Sequence, residues 1–200
     1  MSKKSGIEIL FNLPNTLTAF RLLCIPGVII CLHFGGKLSS FLSALFFSLA
    51  FITDILDGYF ARRYGLVTVF GKFLDPLADK ILVSLTMIML VRLHWIPAWM
   101  VMVIIAREMA VTGLRSVAVS EGIVIQASSL GKYKTIFQAS AVIGLCLHYK
   151  YMDVDFHKIG MIFLWVALVL TIWSGWAYFS QFSQVFFSKR KEKKRPGLDG

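Results

Sequence analysis

The chain has 200 residues, of which 57% are hydrophobic, with a mean hydropathy of +0.72 and a formal net charge of +10. A soluble domain is nearer to about 45–50% apolar, so the composition argues against a water-soluble globular protein and favours a membrane protein. The apolar segments follow one another without a Pro- or Ser-rich linker, which predicts one domain over residues 1–200. Three cysteines, Cys24, Cys31 and Cys146, lie in apolar runs without metal-ligand spacing, and this favours packed hydrophobes over disulfides or metal ligands.

The predicted elements are all helical. Residues 1–14 contain a short amphipathic helix, expected on the membrane surface, with no apolar segment typical of a signal peptide. Pro14 and Asn15 are expected to end this helix and to start the first membrane span. About six later stretches have the roughly 20 residues that cross a bilayer. They are Thr16–Phe34, Leu38–Ala61, Pro76–Leu93, Trp95–Val119, Gly131–His148 and Lys158–Phe187. Residues 188–200 then form a basic tail.

Lysine and arginine are unevenly distributed between the two sides of this layout. Six spans place both termini on one side, and that side holds Lys3, Lys4, Arg62, Arg63, Lys72, Lys132, Lys134 and the tail SKRKEKKR. The opposite loops hold Lys37, Arg92, Lys150 and Lys158. By the positive-inside rule, the termini and the loop 62–75 are expected in the cytosol. The four histidines fall near the far side, where a surface role is favoured over metal ligation: His33, His94, His148 and His157.

Four aspartates lie near the end of the second apolar stretch and around the start of the third. Asp54 and Asp57 are three residues apart, and Asp75 and Asp79 are four apart, so each pair shares one face of a helix. Acidic side chains in or near a bilayer are costly and mark functional sites, and four together need a cation. All-oxygen sites suit hard cations, chiefly Mg²⁺, with Mn²⁺ and Ca²⁺ as alternatives. Two ions bridged by a shared aspartate would handle phosphoryl groups, leaving one carboxylate as a general base.

Small and basic residues lie between the aspartates. Gly58 and Ala61 would let a ligand approach the helix backbone, although small residues also serve helix packing in membranes. Gly71 could act in the same way or as a loop glycine. Arg62 could pair with a phosphate, and its alternative role is a positive-inside anchor.

The segment from Asp54 to Asp79 has the pattern D-x2-D-G-x2-A-R-x8-G-x3-D-x3-D. This pattern resembles the signature of the CDP-alcohol phosphatidyltransferase family, with no departure at any signature position. The six-span layout, with the motif across spans two and three, is also similar to that family.

The resemblance implies a fold, a reaction and a set of site residues. Family members are six-helix membrane enzymes, usually dimers, that transfer a phosphatidyl group from a CDP-linked lipid to an alcohol and release CMP. By this resemblance, Asp54, Asp57 and Asp75 bind two Mg²⁺ or Mn²⁺ ions, and Asp79 both contributes to the metal site and acts as the base. The nucleotide site is expected at Gly58, Ala61, Arg62 and Gly71.

Further charges bear on the acceptor alcohol. Arg107, Glu108 and Arg115 lie inside the fourth span, and Lys132 and Lys134 lie at the start of the fifth. Buried cations usually have an anionic partner, and one interpretation is a pocket for an acceptor that carries a phosphate. The alternative is that Arg107 pairs with Glu108 or with the aspartates, and that the lysines reach lipid headgroups.

These stretches and the segment NLPNTLTAFRL also resemble the bacterial branch of the family whose acceptor is sn-glycerol 3-phosphate. In that branch the cytosolic end of the first span closes the nucleotide pocket, which implies nucleotide contacts at Asn15, Thr18 and Arg21. The expected substrates are therefore CDP-diacylglycerol and glycerol 3-phosphate, in a bacterial inner-membrane homodimer surrounded by lipid.

Three other functions stay open at the level of the sequence. A sister enzyme would use inositol phosphate, serine or phosphatidylglycerol as acceptor. A divalent-cation transporter would also carry acids within helices, but here they cluster once, without the second copy that an inverted repeat would supply. A nucleic-acid-binding role rests only on the basic tail, which is more typical of topology or anionic-lipid attraction, so no nucleic-acid partner is expected.

Overall fold

The computed structural model describes residues 13–64, 69–120 and 129–193, with side chains over 19–56, 77–120 and 131–185. These residues form six α-helices and one two-stranded antiparallel hairpin. The helices are α1 (Leu13–Phe34), α2 (Lys37–Tyr64), α3 (Val69–Arg92), α4 (Ala98–Ser120), α5 (Ser129–Leu147) and α6 (Phe156–Lys193). The hairpin, β1 (Lys150–Tyr151) with β2 (Val154–Asp155), joins α5 to α6. The expected all-helical class is confirmed, with this short hairpin as an addition.

Most of the helices extend beyond the predicted spans at one end or both, although α4 begins at Ala98, three residues after the predicted start at Trp95. The predicted loop over 62–75 is wrong at both ends, because α2 continues to Tyr64 and α3 begins at Val69, seven residues before Pro76. Residues 65–68 lie outside the described part. The physical reason is that charged residues lower hydropathy without breaking a helix, since Arg and Lys are good helix formers. Likewise, α1 begins at Leu13, with Pro14 tolerated in its first turn. Most of the predicted surface helix lies outside the described residues.

Two segments in the described part of the chain are long and apolar enough to cross a bilayer, Lys37–Leu56 in α2 and Phe156–Val185 in α6. Ala19–Phe34 in α1 is a shorter apolar segment. Helices α3 and α4 contain charged side chains, which lower the hydropathy of any window that includes them. The count of six spans therefore stays a prediction.

The bundle has one apolar core to which every helix contributes. Each helix contributes at least one fully buried side chain, for example, in chain order, Val28, Phe47, Leu90, Ile104, Leu145 and Leu164. Many large apolar side chains on the outer faces remain exposed, among them Leu23, Met102 and Trp176. Such faces suit a lipid environment better than water.

Helices α5 and α6 cross closely at two glycines. A Cβ atom added to Gly144 would lie 3.0 Å from the Cα of Gly160, and one added to Gly160 would lie 2.7 Å from the backbone nitrogen of Leu145. Small residues at such a crossing let two backbones approach, which is a common form of helix packing in membranes.

The hairpin and the histidines lie at one end of the bundle, away from the aspartates. Met152 and Asp153 form its two-residue turn with φ values of 47° and 62°, the positive values that a type I′ turn requires. The hydroxyl of Tyr151 donates a hydrogen bond of 2.9 Å to the carbonyl oxygen of Lys37 at the start of α2. The ring of His148 stacks on Trp95 with centroids 3.7 Å apart. The four histidines were predicted near the membrane side opposite the termini, and they lie together at this end of the bundle.

Candidate active site

Asp54 is held by an arginine from the neighbouring helix. The Nη2 atom of Arg21 in α1 lies 2.8 Å from Oδ1 of Asp54 in α2. The Arg21 side chain is fully buried, whereas that of Asp54 is 34% exposed. The pair thus joins a predicted nucleotide-site residue to a predicted metal ligand, and it gives the buried guanidinium the anionic partner that burial requires.

Asp79 lies on α3 at a small cavity of about 50 Å³. Its carboxyl group is close enough to Asp54 for the two negative charges to interact, and Arg21, Glu108 and Lys134 also act on it electrostatically. Two of the four predicted metal ligands, one on α2 and one on α3, are therefore near enough for their charges to interact.

The other two aspartates lie in the same helices, Asp57 in α2 and Asp75 in α3. Their side chains are outside the described part, so the predicted set of four is not tested. Within the side chains that are described, no group of three His, Cys, Asp or Glu could hold a metal ion. The same limit applies to six residues predicted at the nucleotide site, whose backbones lie in α1, α2 and α3: Asn15, Thr18, Gly58, Ala61, Arg62 and Gly71.

A second, larger cavity of about 290 Å³ lies between α3, α4, α5 and α6. The structure brings to it all four cations predicted for the acceptor phosphate: Arg107, Arg115, Lys132 and Lys134. Lys80 also lines this cavity, and Glu108 is the carboxylate that faces it. The wall shared with the Asp79 cavity consists of Lys80, Glu108, Lys134 and Thr135. The two cavities are therefore adjacent.

Arg107 is fixed by partners on two helices. Its Nη1 atom donates to Oε1 of Glu108 at 3.1 Å, and its Nη2 atom donates to Oγ of Ser174 in α6 at 2.8 Å. A Cβ atom added to Gly175 would lie 3.0 Å from Cγ of Arg107, so the glycine makes room for the arginine. The pairing with Glu108, which the sequence left as an alternative, is thus present, and Arg107 lines the cavity as well.

Several polar residues at this cavity were not predicted from the sequence. On α4, Thr112 accepts a hydrogen bond from Lys80 and donates one of 2.7 Å to the carbonyl oxygen of Glu108. On α6, Ser174 and Tyr178 line the cavity, and the guanidinium carbon of Arg115 lies 5.8 Å from the centre of the Tyr178 ring. Both α6 residues are over nine-tenths buried. A usable signal was their spacing of four residues on one face of an otherwise apolar helix.

Comparison with known proteins gives one family over most of the chain. Residues 11–173 match the family model described as CDP-alcohol phosphatidyltransferase. A protein of Bacillus subtilis (strain 168) is 46% identical over 184 residues, covering 86% of this chain and 95% of the relative. A protein of Rickettsia bellii (strain RML369-C) is 42% identical over 176 residues, covering 88% and 97%. One of Haemophilus influenzae is 38% identical over 170 residues, covering 82% and 89%. All three relatives are named CDP-diacylglycerol–glycerol-3-phosphate 3-phosphatidyltransferase.

Proposed function

The chain belongs to the CDP-alcohol phosphatidyltransferase family, and we propose that it transfers the phosphatidyl group of CDP-diacylglycerol to sn-glycerol 3-phosphate, forming phosphatidylglycerophosphate and CMP. The observation that supports glycerol 3-phosphate as the acceptor is the cavity of about 290 Å³ lined by five cationic side chains. It adjoins the cavity that contains Asp79. The name shared by the relatives supports the same acceptor.

The charge of the cavity suits a phosphate monoester. Glycerol 3-phosphate carries close to two negative charges near neutral pH, and arginine can hold a phosphate through two parallel hydrogen bonds. Arg107, Arg115 and Lys132 line this cavity but not the cavity that contains Asp79. Serine, by contrast, offers no second negative charge to balance them. An acceptor with its phosphate near these cations would direct its free hydroxyl toward Asp79 across the shared wall.

We propose that Asp79 accepts the proton of that hydroxyl as the general base. The oxygen then attacks the phosphorus next to the lipid, the phosphorus–oxygen bond to CMP breaks, and CMP leaves. Attack and departure at one phosphorus need no covalent intermediate with the protein. The adjacency of the two cavities supports this geometry, because an acceptor bound in the larger cavity would lie beside the proposed base.

The carboxylate oxygens of the acidic segment are suitable ligands for hard divalent cations. Carboxylates of Asp54, Asp57, Asp75 and Asp79 would hold two Mg²⁺ or Mn²⁺ ions, whose chemistry is to neutralise charge on the pyrophosphate and on the leaving group. The proximity of Asp54 to Asp79 supports this proposal, since two interacting carboxylates favour a cation between them. The ion pair with Arg21 would keep the partly exposed Asp54 carboxylate oriented toward the ions.

The family and the apolar helices make this a membrane protein. We further propose that it crosses the bacterial inner membrane six times, with both termini and the active site in the cytosol. The second substrate, CDP-diacylglycerol, would reach the site from the bilayer. A homodimer in contact with membrane lipids is proposed from the family resemblance.

The test of this function is CMP release by the purified protein in detergent or vesicles containing CDP-diacylglycerol. Glycerol 3-phosphate, inositol phosphate, serine and phosphatidylglycerol are supplied in turn with Mg²⁺, and only glycerol 3-phosphate is expected to support turnover. A chelator should abolish the activity and added Mg²⁺ or Mn²⁺ should restore it. Asp79→Asn should be inactive, whereas Asp155→Asn, a matched change at the hairpin, should keep wild-type activity. CMP release driven by another alcohol would refute the proposed acceptor.

A further inference from the structure

Glu108 binds two cations through a single oxygen atom. Its Oε1 atom accepts a hydrogen bond from Nη1 of Arg107 and another from Nζ of Lys134, which comes from α5. Arg107 precedes Glu108 in the same helix, so its contact is local, whereas the Lys134 contact joins two helices. The interhelical contact is therefore the one that fixes the position of a side chain relative to the site.

Lys134 occupies a different place from the other cations of the cavity. It is only 6% exposed, whereas Arg115 and Lys132 are exposed. It also lines both cavities, as does Glu108, while Arg107, Arg115 and Lys132 line the larger one alone. Lys134 is thus placed at the boundary between the proposed positions of the acceptor phosphate and the acceptor hydroxyl.

Helix α3 is also connected to the turn of α4 that contains Glu108. Lys80 of α3 donates to Thr112, whose hydroxyl donates to the backbone carbonyl of Glu108. Helices α3, α4 and α5 therefore meet at Glu108 through polar side chains, and α6 is joined through the Ser174 contact with Arg107. A carboxylate at this point can keep several cations near each other that would otherwise repel at low dielectric.

The charge of Glu108 has a second effect on an anionic ligand. A phosphate dianion is repelled by the carboxylate and attracted by the arginines, so it is favoured at the far side of the larger cavity. Lys134, neutralised in part by Glu108, is then left beside the hydroxyl end of the acceptor. There its ammonium group can orient that hydroxyl toward Asp79, whose charge interacts with that of Lys134.

We infer that Glu108 is a positioning residue that holds the Lys134 ammonium group at the boundary between the two cavities, where it orients the acceptor hydroxyl toward Asp79. The inference rests on the proposed function. It assigns Glu108 an effect on turnover rather than on acceptor affinity. Arg107, which binds the phosphate with Arg115 and Lys132, keeps its hydrogen bond to Ser174 when the charge of Glu108 is removed.

The test compares steady-state kinetics of Glu108→Gln and Glu108→Asp with glycerol 3-phosphate as the varied substrate. Glu108→Gln keeps the shape but removes the charge, and we expect kcat to fall about tenfold or more while the KM for glycerol 3-phosphate stays within about threefold. Glu108→Asp should recover part of the lost turnover. A large rise in KM with unchanged kcat, or wild-type kinetics in Glu108→Gln, would overturn the inference.

A double-mutant cycle shows whether Glu108 acts through Lys134. In a Lys134→Met background, Glu108→Gln should lower kcat no further, whereas a general structural role would give additive losses and refute the inference. If Glu108→Gln does not accumulate in membranes, Glu108→Asp takes its place in the cycle. In that case, a kcat of Glu108→Asp equal to that of the wild type contradicts the inference. A kcat that Glu108→Asp lowers in the wild-type background, but does not lower further in the Lys134→Met background, supports it.

Two controls distinguish a failure of the positioning role from a failure of the proposed function. Asp155→Asn removes a carboxylate charge at the hairpin end, where Asp155 pairs with Lys158, and should leave kcat and KM unchanged. The wild-type assay with glycerol 3-phosphate comes first, because its failure refutes the proposed function before any variant is compared. When the wild type is active, the variants test the positioning role alone.

Discussion

Arg115 is the exposed arginine of the larger cavity, beside the ring of Tyr178. We expect Arg115→Ala to raise the KM for glycerol 3-phosphate, because the phosphate loses a charged hydrogen bond worth about 1.5–3 kcal/mol, or roughly ten- to hundredfold. The affinity for CDP-diacylglycerol should change little. The measurement is initial rate against each substrate in turn.

Arg92→Ala is the matched control for that variant. Arg92 is an arginine at the opposite end of the bundle, where its Nη1 atom lies 2.8 Å from Nδ1 of His33. Its loss should leave both KM values unchanged. An Arg115→Ala variant with weakened CDP-diacylglycerol binding and a normal acceptor KM would mean that the larger cavity is not the acceptor site.

The sequence predicted the cations of this cavity but not how they are held. Arg107, Arg115, Lys132 and Lys134 were grouped by charge and by their place near one membrane side, and the structure brings them to one cavity. The same reasoning could not predict that Glu108 binds Lys134 as well as Arg107. Glu108 lies in α4 and Lys134 in α5, and the sequence does not show which faces of these two helices pack together. Whether these residues bind a phosphate stays a prediction.

At the scale of secondary structure, α5 and α6 approach each other closely at Gly144 and Gly160. A Cβ atom at Gly160 would lie 2.8 Å from Cγ of Leu145 and nearer still to a backbone nitrogen, which cannot move without its helix. We therefore expect Gly160→Ala to lower the free energy of unfolding by about 1–3 kcal/mol through overpacking. Denaturant titration of the detergent-solubilised protein measures this change.

Gly113→Ala is the control for that substitution. Gly113 lies within α4, and a Cβ atom there would meet nothing within 4 Å. Because alanine favours helix over glycine, this variant should be as stable as the wild type or more stable by about 0.5–1 kcal/mol. Equal losses in the two variants would show that the crossing at Gly160 has no special packing role.

Helix existence was predictable from hydropathy, but helix ends were not. A hydropathy window ends where charge begins, whereas backbone hydrogen bonding continues through residues such as Lys72 and Asp75, both within α3. The predicted third span began at Pro76, yet α3 contains this proline in its interior, as α1 contains Pro26. Membrane helices tolerate proline because neighbouring groups satisfy the freed carbonyl.

The sequence did not predict the hairpin, because its turn has Met152 and Asp153 instead of Asn-Gly.

For the whole molecule, the uneven placement of lysine and arginine predicts both termini in the cytosol. A periplasm-dependent reporter fused after Gly200 should stay silent, whereas the same reporter inserted in the hairpin turn at Met152, which is 99% exposed, should be active. The insertion is the positive control, since it lies at the end of the bundle opposite the aspartates. An active reporter after Gly200 would mean an odd number of spans.

Helix α6 has 38 residues, about 57 Å at 1.5 Å per residue, nearly twice the roughly 30 Å hydrocarbon thickness of a bilayer. It packs against α5 and α4 and then continues to Lys193 as a single helix. A helical fusion partner joined there in register would share its axis, giving this small protein a rigid marker for particle alignment in electron cryo-microscopy. Adding or removing one residue at the junction would rotate the marker by about 100° around that axis.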